Sequence, residues 1–292
     1  MTNLGKRVLV GLVGIPLAVS LVYAGSWYFI LAIVAIAIQA LREFYHLADS
    51  KHASPNQTVG IGVTAAMLLG VGYMVEGDGA RGLMASASVI GLVMMVGTIL
   101  TLTIELFRAK ENAVFNTSTT MFGVTYIGIS MASLIGLRFT KQPELLGAWG
   151  GEGCSLVVTL FASVWMADIA AYFVGLTIGR HKLFPRVSPK KSWEGAIGGF
   201  VGSTAAFAAL AAYLLPSLAL PTALACGAVV GIVGPLGDLA ESLLKRDATV
   251  KDSGELLPGH GGVFDRFDSM LFAAPVVFLI LHADHIVHLF TR

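Results

Sequence analysis

Apolar runs able to cross a bilayer recur along this chain from one end to the other. A transmembrane helix needs roughly 17–25 predominantly apolar residues. Nine candidate spans are legible, at 8–24, 27–41, 59–75, 85–104, 119–137, 155–176, 196–214, 222–244 and 270–290. A soluble domain could not hide them, because 55% of the 292 residues are hydrophobic and only 13% are charged. The expected fold is therefore all-α, a polytopic integral membrane protein with about nine transmembrane helices. Weak alternation within the runs excludes a β-barrel. Turn residues mark the connectors: Ser54-Pro55-Asn56, Gly77-Asp78-Gly79, Gly147 to Gly153, Pro216 to Pro221 and Pro258-Gly259. The start imitates a secretory leader, with Lys6 and Arg7 before an apolar stretch and small residues at Ala24 and Ser26. A second run opens at Trp27, so a helical hairpin is the simpler reading.

Charge placement orients the chain. With the N-terminus in the cytoplasm, 15 of the 19 Lys and Arg residues fall on inside segments. Only Arg81, Arg138, Lys141 and Arg292 fall outside. Such a bias is the positive-inside pattern, and a miscounted span would scramble it. Cys154 and Cys226 are far apart and lack metal-ligand spacing, so neither a disulfide nor a thiolate site is expected.

The two halves read differently. Spans one to five carry almost no charge, and residues 1–150 read as scaffold, lipid-facing surface or homodimer interface within a single membrane domain. From Asp168 onward ionisable residues enter the spans and crowd their inner ends. A charge in hydrocarbon is costly and marks function by default. The chemistry is expected in residues 151–292, at the cytoplasmic face.

Four polar clusters stand out. In "SLLKRDATVKDSGELLPGHGGVFDRFDS", 242–269, glycines permit a tight turn whose N–H groups can face a ligand. A helix beginning near Phe264 offers its positive end to the same point. Asp265 and Asp268, three apart, share a helix face beside Lys245, Arg246, Lys251 and Arg266. Paired carboxylates beside a cationic cradle suit a hard divalent cation that holds phosphates. In "VGPLGDLAESLLKR", 233–246, Asp238 lies inside the span after a Gly234-Pro235 break, and Glu241 can pair with Lys245. In "GRHKLFPRVSPKKSWEG", 179–195, five basic residues either touch anionic headgroups or, at Lys190 and Lys191, reach a phosphate. Asp168 sits near mid-span, as a site residue or a structural hydrogen bonder. His282, His285 and His288 are spaced by three near the outer end of the last span and read as interfacial rather than metal-binding. The glycine-rich spans permit close helix packing and are not nucleotide fingerprints, because no strand precedes them. No nucleic-acid partner is expected.

These residues carry a resemblance. Ser242, Lys245, Arg246, Lys251, Asp252, His260, Gly261, Gly262, Asp265, Arg266 and Asp268 together resemble the motif of the CDP-diacylglycerol synthases, or phosphatidate cytidylyltransferases. "SPKKSWEG" at 188–195 and "GPLGDLAES" at 234–242 look like that family's other polar segments. The resemblance implies transfer of CMP from CTP to phosphatidic acid in phospholipid biosynthesis, with Mg²⁺ and with a second cation allowed for. It implies Asp238 and Asp265 as metal ligands, Asp268 beside them, and Asp168 as a weaker candidate. Ser188, Lys190, Lys191, Lys245, Arg246, Lys251, Arg266, Gly261 and Gly262 would hold substrate, and His260 would contact the nucleotide or help pyrophosphate leave. The expected setting is a bacterial inner membrane. Competing readings are a related CTP-dependent membrane enzyme acting on another lipid, and an ion-coupled transporter.

Overall fold

Backbone N–H and C=O groups in hydrocarbon must be satisfied within their own segment, so apolar runs of this length become helices. The computed structural model describes residues 3–140, 150–254, 256 and 261–283, and nearly all of them are helical. Among the described residues, seven helical stretches are long and apolar enough to cross a membrane. A shorter apolar helix, Gly11–Ala24, adds to them, and the helix Phe264–Leu281, with charges in its first turns, stands outside that set.

The chain forms two compact units, Met1–Phe139 with Leu244–Phe267, and Thr140–Leu243 with Asp268–Arg292. In the first, α1 (Asn3–Ala24) turns at Gly25 into α2 (Ser26–Asp49). Arg138 donates to Val22 O (2.6 Å) and Tyr23 O (3.3 Å), satisfying carbonyls at the end of α1. Helix α2 buries Phe29, Ile30, Ile33, Val34, Ala37, Ala40, Leu41 and Phe44, a stripe at helical period.

Helix α3 (Gln57–Arg108) has 52 residues. A straight helix of that length would span about 78 Å, far beyond a hydrocarbon core of about 30 Å. It doubles back instead: a methyl on Gly70 would lie 2.8 Å from Val89, and one on Gly97 would lie 2.8 Å from Val63. The paired positions sum to 159 and 160, so the arms run antiparallel. The two spans expected at 59–75 and 85–104 are these arms. Val59, Val63 and Met67 bury against Ile90, Val93, Met94 and Ile104.

Helix α4 (Ala113–Gly123) continues through a π segment, Val124–Ile129, into α5 (Ser130–Arg138) as one span. A polar network fixes its N-terminal end. Glu105 accepts from Arg108 and Asn116, both at 2.7 Å, while Asn116 Oδ1 accepts from Ser54 N at 2.7 Å. Helices α2 and α3 run past the expected span ends at 41 and 104, to Asp49 and Arg108, and they bury Glu43 and Glu105. Expected spans one to five themselves carry no charge, and the buried acids Glu43 and Glu105 lie just beyond span ends.

In the second unit α6 (Glu152–Ile178) packs along α7 (Trp193–Leu214). Gly195 and Gly199 face Ala171 O and Ala167 O, where an added methyl would come within 2.8 and 3.0 Å. Without a hydrophobic drive between helices in lipid, such small-residue contact is the main source of association. The segment between them, expected as a loop, contains a two-stranded antiparallel sheet of β1 (Lys182–Phe184) and β2 (Ser188–Ser192). Ser192 caps α7, accepting from Gly195 N at 3.2 Å. Helix α8 (Leu220–Asp247) contains Pro235, and α9 (Phe264–Leu281) contains Pro275.

Candidate functional site

The first unit holds the end of α8, the following loop and the start of α9. Val250 N bonds to Lys245 O (2.9 Å) and Thr249 N to Arg246 O (3.1 Å). This paired closure is a Schellman stop, with Thr249 in the left-handed position at φ 60° where glycine is usual. The stop turns the chain off the α8 axis, and the loop returns to the N-terminus of α9.

Asp265, in the first turn of α9, is the centre of this loop. Its Oδ1 lies 2.5 Å from the Lys245 ammonium. Its Oδ2 accepts from Ser253 N (2.9 Å), Ser253 Oγ (2.9 Å) and Gly262 N (2.8 Å). The pair is buried, with side-chain exposures of 11% and 4%. A buried ion pair of this kind persists only when further hydrogen bonds satisfy its remaining atoms; here the loop backbone does so.

A second carboxylate, absent from the sequence-based site, lies beside it. Glu43 of α2 is 5% exposed. Its Oε1 accepts from Val263 N (3.0 Å) and Gln39 Nε2 (2.9 Å) and its Oε2 from Phe264 N (2.8 Å), while the single Ser253 hydroxyl proton is shared between Oε2 (3.0 Å) and Asp265 Oδ2. The positive end of α9 thus meets the protein's own Glu43. The N–H groups of Gly262, Val263 and Phe264, expected to face a ligand, face Asp265 and Glu43. The glycines follow from the crowding: a methyl on Gly262 would lie 2.2 Å from Glu43 Oε2, and one on Gly261 would lie 2.7 Å from Asp265 Oδ2. Phe264 is fully buried, edge-on to Tyr126 at 6.0 Å and Phe44 at 6.3 Å. The sequence signal for Glu43 is Gln39 one turn before it, on a helix whose other inward positions are apolar.

The second unit holds a looser set. Lys191 of β2 pairs with Asp238 of α8 at 2.6 Å, with exposures of 27% and 32%. Ser242 Oγ donates to Asp238 Oδ1 at 3.3 Å. Glu194, at the start of α7, accepts from Arg180 N at 3.1 Å and meets His181 Nδ1 at 2.6 Å.

The remaining expected residues are placed as follows. Lys190, Arg246, Lys251 and Arg266 are exposed, and Ser188, Gly261 and Asp268 are half-buried. Asp268 Oδ1 accepts from Ser269 N at 2.5 Å. Asp168 is exposed on α6, and Glu241 is buried in α8. His282 is buried, stacked on Phe278 with ring centroids 4.4 Å apart. His260, His285, His288, Pro258-Gly259, Lys141 and Arg292 lie outside the described residues. Asp265 belongs to the first unit, and Asp238 and Asp268 to the second.

Among the described residues no three His, Cys, Asp or Glu side chains gather as a ready metal centre. The donors nonetheless suit one: aspartate oxygens are the ligands of hard cations. Asp238 and Asp265 are each paired with a lysine ammonium, so a cation there would have to share them with Lys191 and Lys245.

Residues 5–284 match the model of the Cytidylyltransferase family. A Synechocystis protein named phosphatidate cytidylyltransferase is 33% identical, over 94% of this chain and 94% of its own length. Proteins of the same name from Brucella suis and Bacillus subtilis are 34% and 32% identical, each over 96% of this chain and over 93% and 98% of their own lengths.

Proposed function

The chain belongs to the cytidylyltransferase family, and we propose that it transfers CMP from CTP to phosphatidic acid, giving CDP-diacylglycerol and pyrophosphate. It is a multi-pass membrane protein and a nucleotidyltransferase. The observation that carries the substrate reading is the buried Lys245–Asp265 pair, set in the segment that resembles the family motif.

In the proposed reaction a phosphatidate phosphate oxygen attacks the α-phosphorus of CTP. A new P–O bond forms as the bond to the β-phosphate oxygen breaks, and pyrophosphate carries away the electron pair. The attacking oxygen is already anionic at neutral pH, so the barrier is mainly repulsion between two polyanions. Cationic side chains lower it by positioning and by neutralising charge that builds up in line. Lys190, Arg246, Lys251 and Arg266 are exposed and suited to phosphate oxygens. Lys191 can exchange its partner Asp238 for a phosphate. Lys245, held by Asp265, presents a fixed charge. Asp238, Asp265 and Asp268 are the candidates to hold Mg²⁺, which when bound would neutralise phosphate oxygens. The proposed setting is a bacterial inner membrane with the N-terminus and the site toward the cytoplasm, where CTP arrives while the acyl chains stay in the bilayer.

The deciding experiment incubates purified protein with CTP, Mg²⁺ and phosphatidic acid. Pyrophosphate release matched by liponucleotide supports the reading. Product on another lipid acceptor but none on phosphatidic acid overturns it.

A further inference from the structure

We infer that Glu43, whose partners in the motif segment lie 210 to 221 residues later, is a positioning residue for the reaction. The inference rests on the proposed activity and adds a residue from the N-terminal helices to it.

Glu43 is surrounded by donors. Two are the first N–H groups of the α9 entry, Val263 and Phe264, at 3.0 and 2.8 Å. Such groups lack partners within the helix and need an acceptor from elsewhere. A buried carboxylate there also meets the positive end of the helix. The third donor is the Ser253 hydroxyl, whose oxygen lies 3.0 Å from Glu43 Oε2 and 2.9 Å from Asp265 Oδ2. Ser253 therefore links Glu43 to the carboxylate that grips Lys245. Gln39 supports Glu43 from one turn earlier, at 2.9 Å.

Two glycines of the neighbouring loop pack directly against the carboxylate. Methyl groups on Gly254 and Gly262 would approach the Glu43 carboxyl oxygens to 2.9 and 2.2 Å. Both oxygens receive donors, so an amide in place of the carboxylate turns an NH₂ against N–H or O–H partners. Glu43 accordingly fixes where α9 begins and where Asp265 and Arg266 point. A displacement of about 1 Å at reacting groups can lower a rate about a hundredfold.

The test compares Glu43→Asp, Glu43→Gln and Gln39→Ala with the wild type in detergent, measuring kcat, KM for CTP and thermal midpoint on the folded fraction. Glu105→Gln is the control, a buried acid elsewhere in the N-terminal helices, bonded to Arg108 and Asn116. Glu43→Gln should lose kcat about a hundredfold with KM for CTP within about threefold, because positioning acts on the reacting geometry. Glu43→Asp keeps the charge and should retain about a tenth of wild-type kcat, and Gln39→Ala should lose about threefold. Glu105→Gln should lower the thermal midpoint and keep kcat. If Glu43→Gln folds and turns over at the wild-type rate, or if it outperforms Glu43→Asp, the inference is overturned. If the Gln variant fails to fold, Gln39→Ala decides: wild-type kcat there overturns it as well. A wild type that makes no liponucleotide would instead overturn the proposed activity, and this inference with it.

Discussion

The Lys245–Asp265 and Lys191–Asp238 pairs have almost the same length, 2.5 and 2.6 Å, in opposite surroundings. The first is buried, and three loop donors complete its aspartate. The second is about a third exposed, with one further contact from Ser242. Burial makes each partner expensive to remove, because desolvation has already been spent on both. Exposure makes the pair easy to exchange, because water and salt screen it. One chemistry therefore meets two settings: a charge that stays in place beside α9, and a charge on a strand whose partner is readily exchanged, as the proposed phosphate contact of Lys191 requires.

The sharpest way to break this comparison is Asp265→Ala. Removing one member of a buried pair should cost about 3–5 kcal/mol and abolish CTP-dependent turnover. A thermal melt in detergent reads the first effect and a labelled-CTP assay the second. Gly262→Ala tests the packing around that pair. Its methyl would lie 2.2 Å from Glu43 Oε2 and 2.3 Å from Ser253 Oγ. Overpacking of this kind costs about 1–3 kcal/mol, with activity falling alongside.

Asp238→Ala sharpens the contrast. Activity should vanish while stability changes by about 1 kcal/mol or less, as for other partly exposed pairs. A loss of stability equal to that of Asp265→Ala would show that the two pairs do not differ in the way described. The smallest effect belongs to Thr249→Asn. Asparagine tolerates the left-handed conformation that Thr249 adopts at φ 60°, so stability should rise by up to about 1 kcal/mol. A lower melting temperature would mean that the Thr249 side chain matters more than its backbone.

Much of this was legible in the chain. Apolar length predicted the helices, and the turn at Gly77-Asp78-Gly79 separated the two arms of α3, although hydrogen bonding runs through it. Lys245 and Asp265 both lie within one contiguous motif of acids, bases and glycines. There they read as phosphate binder and metal ligand, and their pairing with each other is not legible. Glu43 was missed, because the donors that give it a role lie 210 to 221 residues away, and Gln39, its one local signal, does not announce them. The partner of Asp238 was missed for a similar reason: it comes from β2, not from helical spacing on α8. That strand was hidden in turn, since Ser188-Pro189 and two lysines look like loop by composition, and only the pairing with β1 makes them a sheet.

The π segment in the fifth span carries a consequence of its own. Each residue of an α-helix advances about 100° around the axis, and a π turn absorbs one surplus residue without breaking the rod. Val124–Ile129 therefore takes up an extra residue while α4 and α5 keep their faces. It also carries Tyr126, whose ring meets Phe264 at the mouth of α9. Deleting a single residue there would remove the surplus and restore an ordinary helix, with α5 close to its present phase and Leu134 and Leu137 still enclosed.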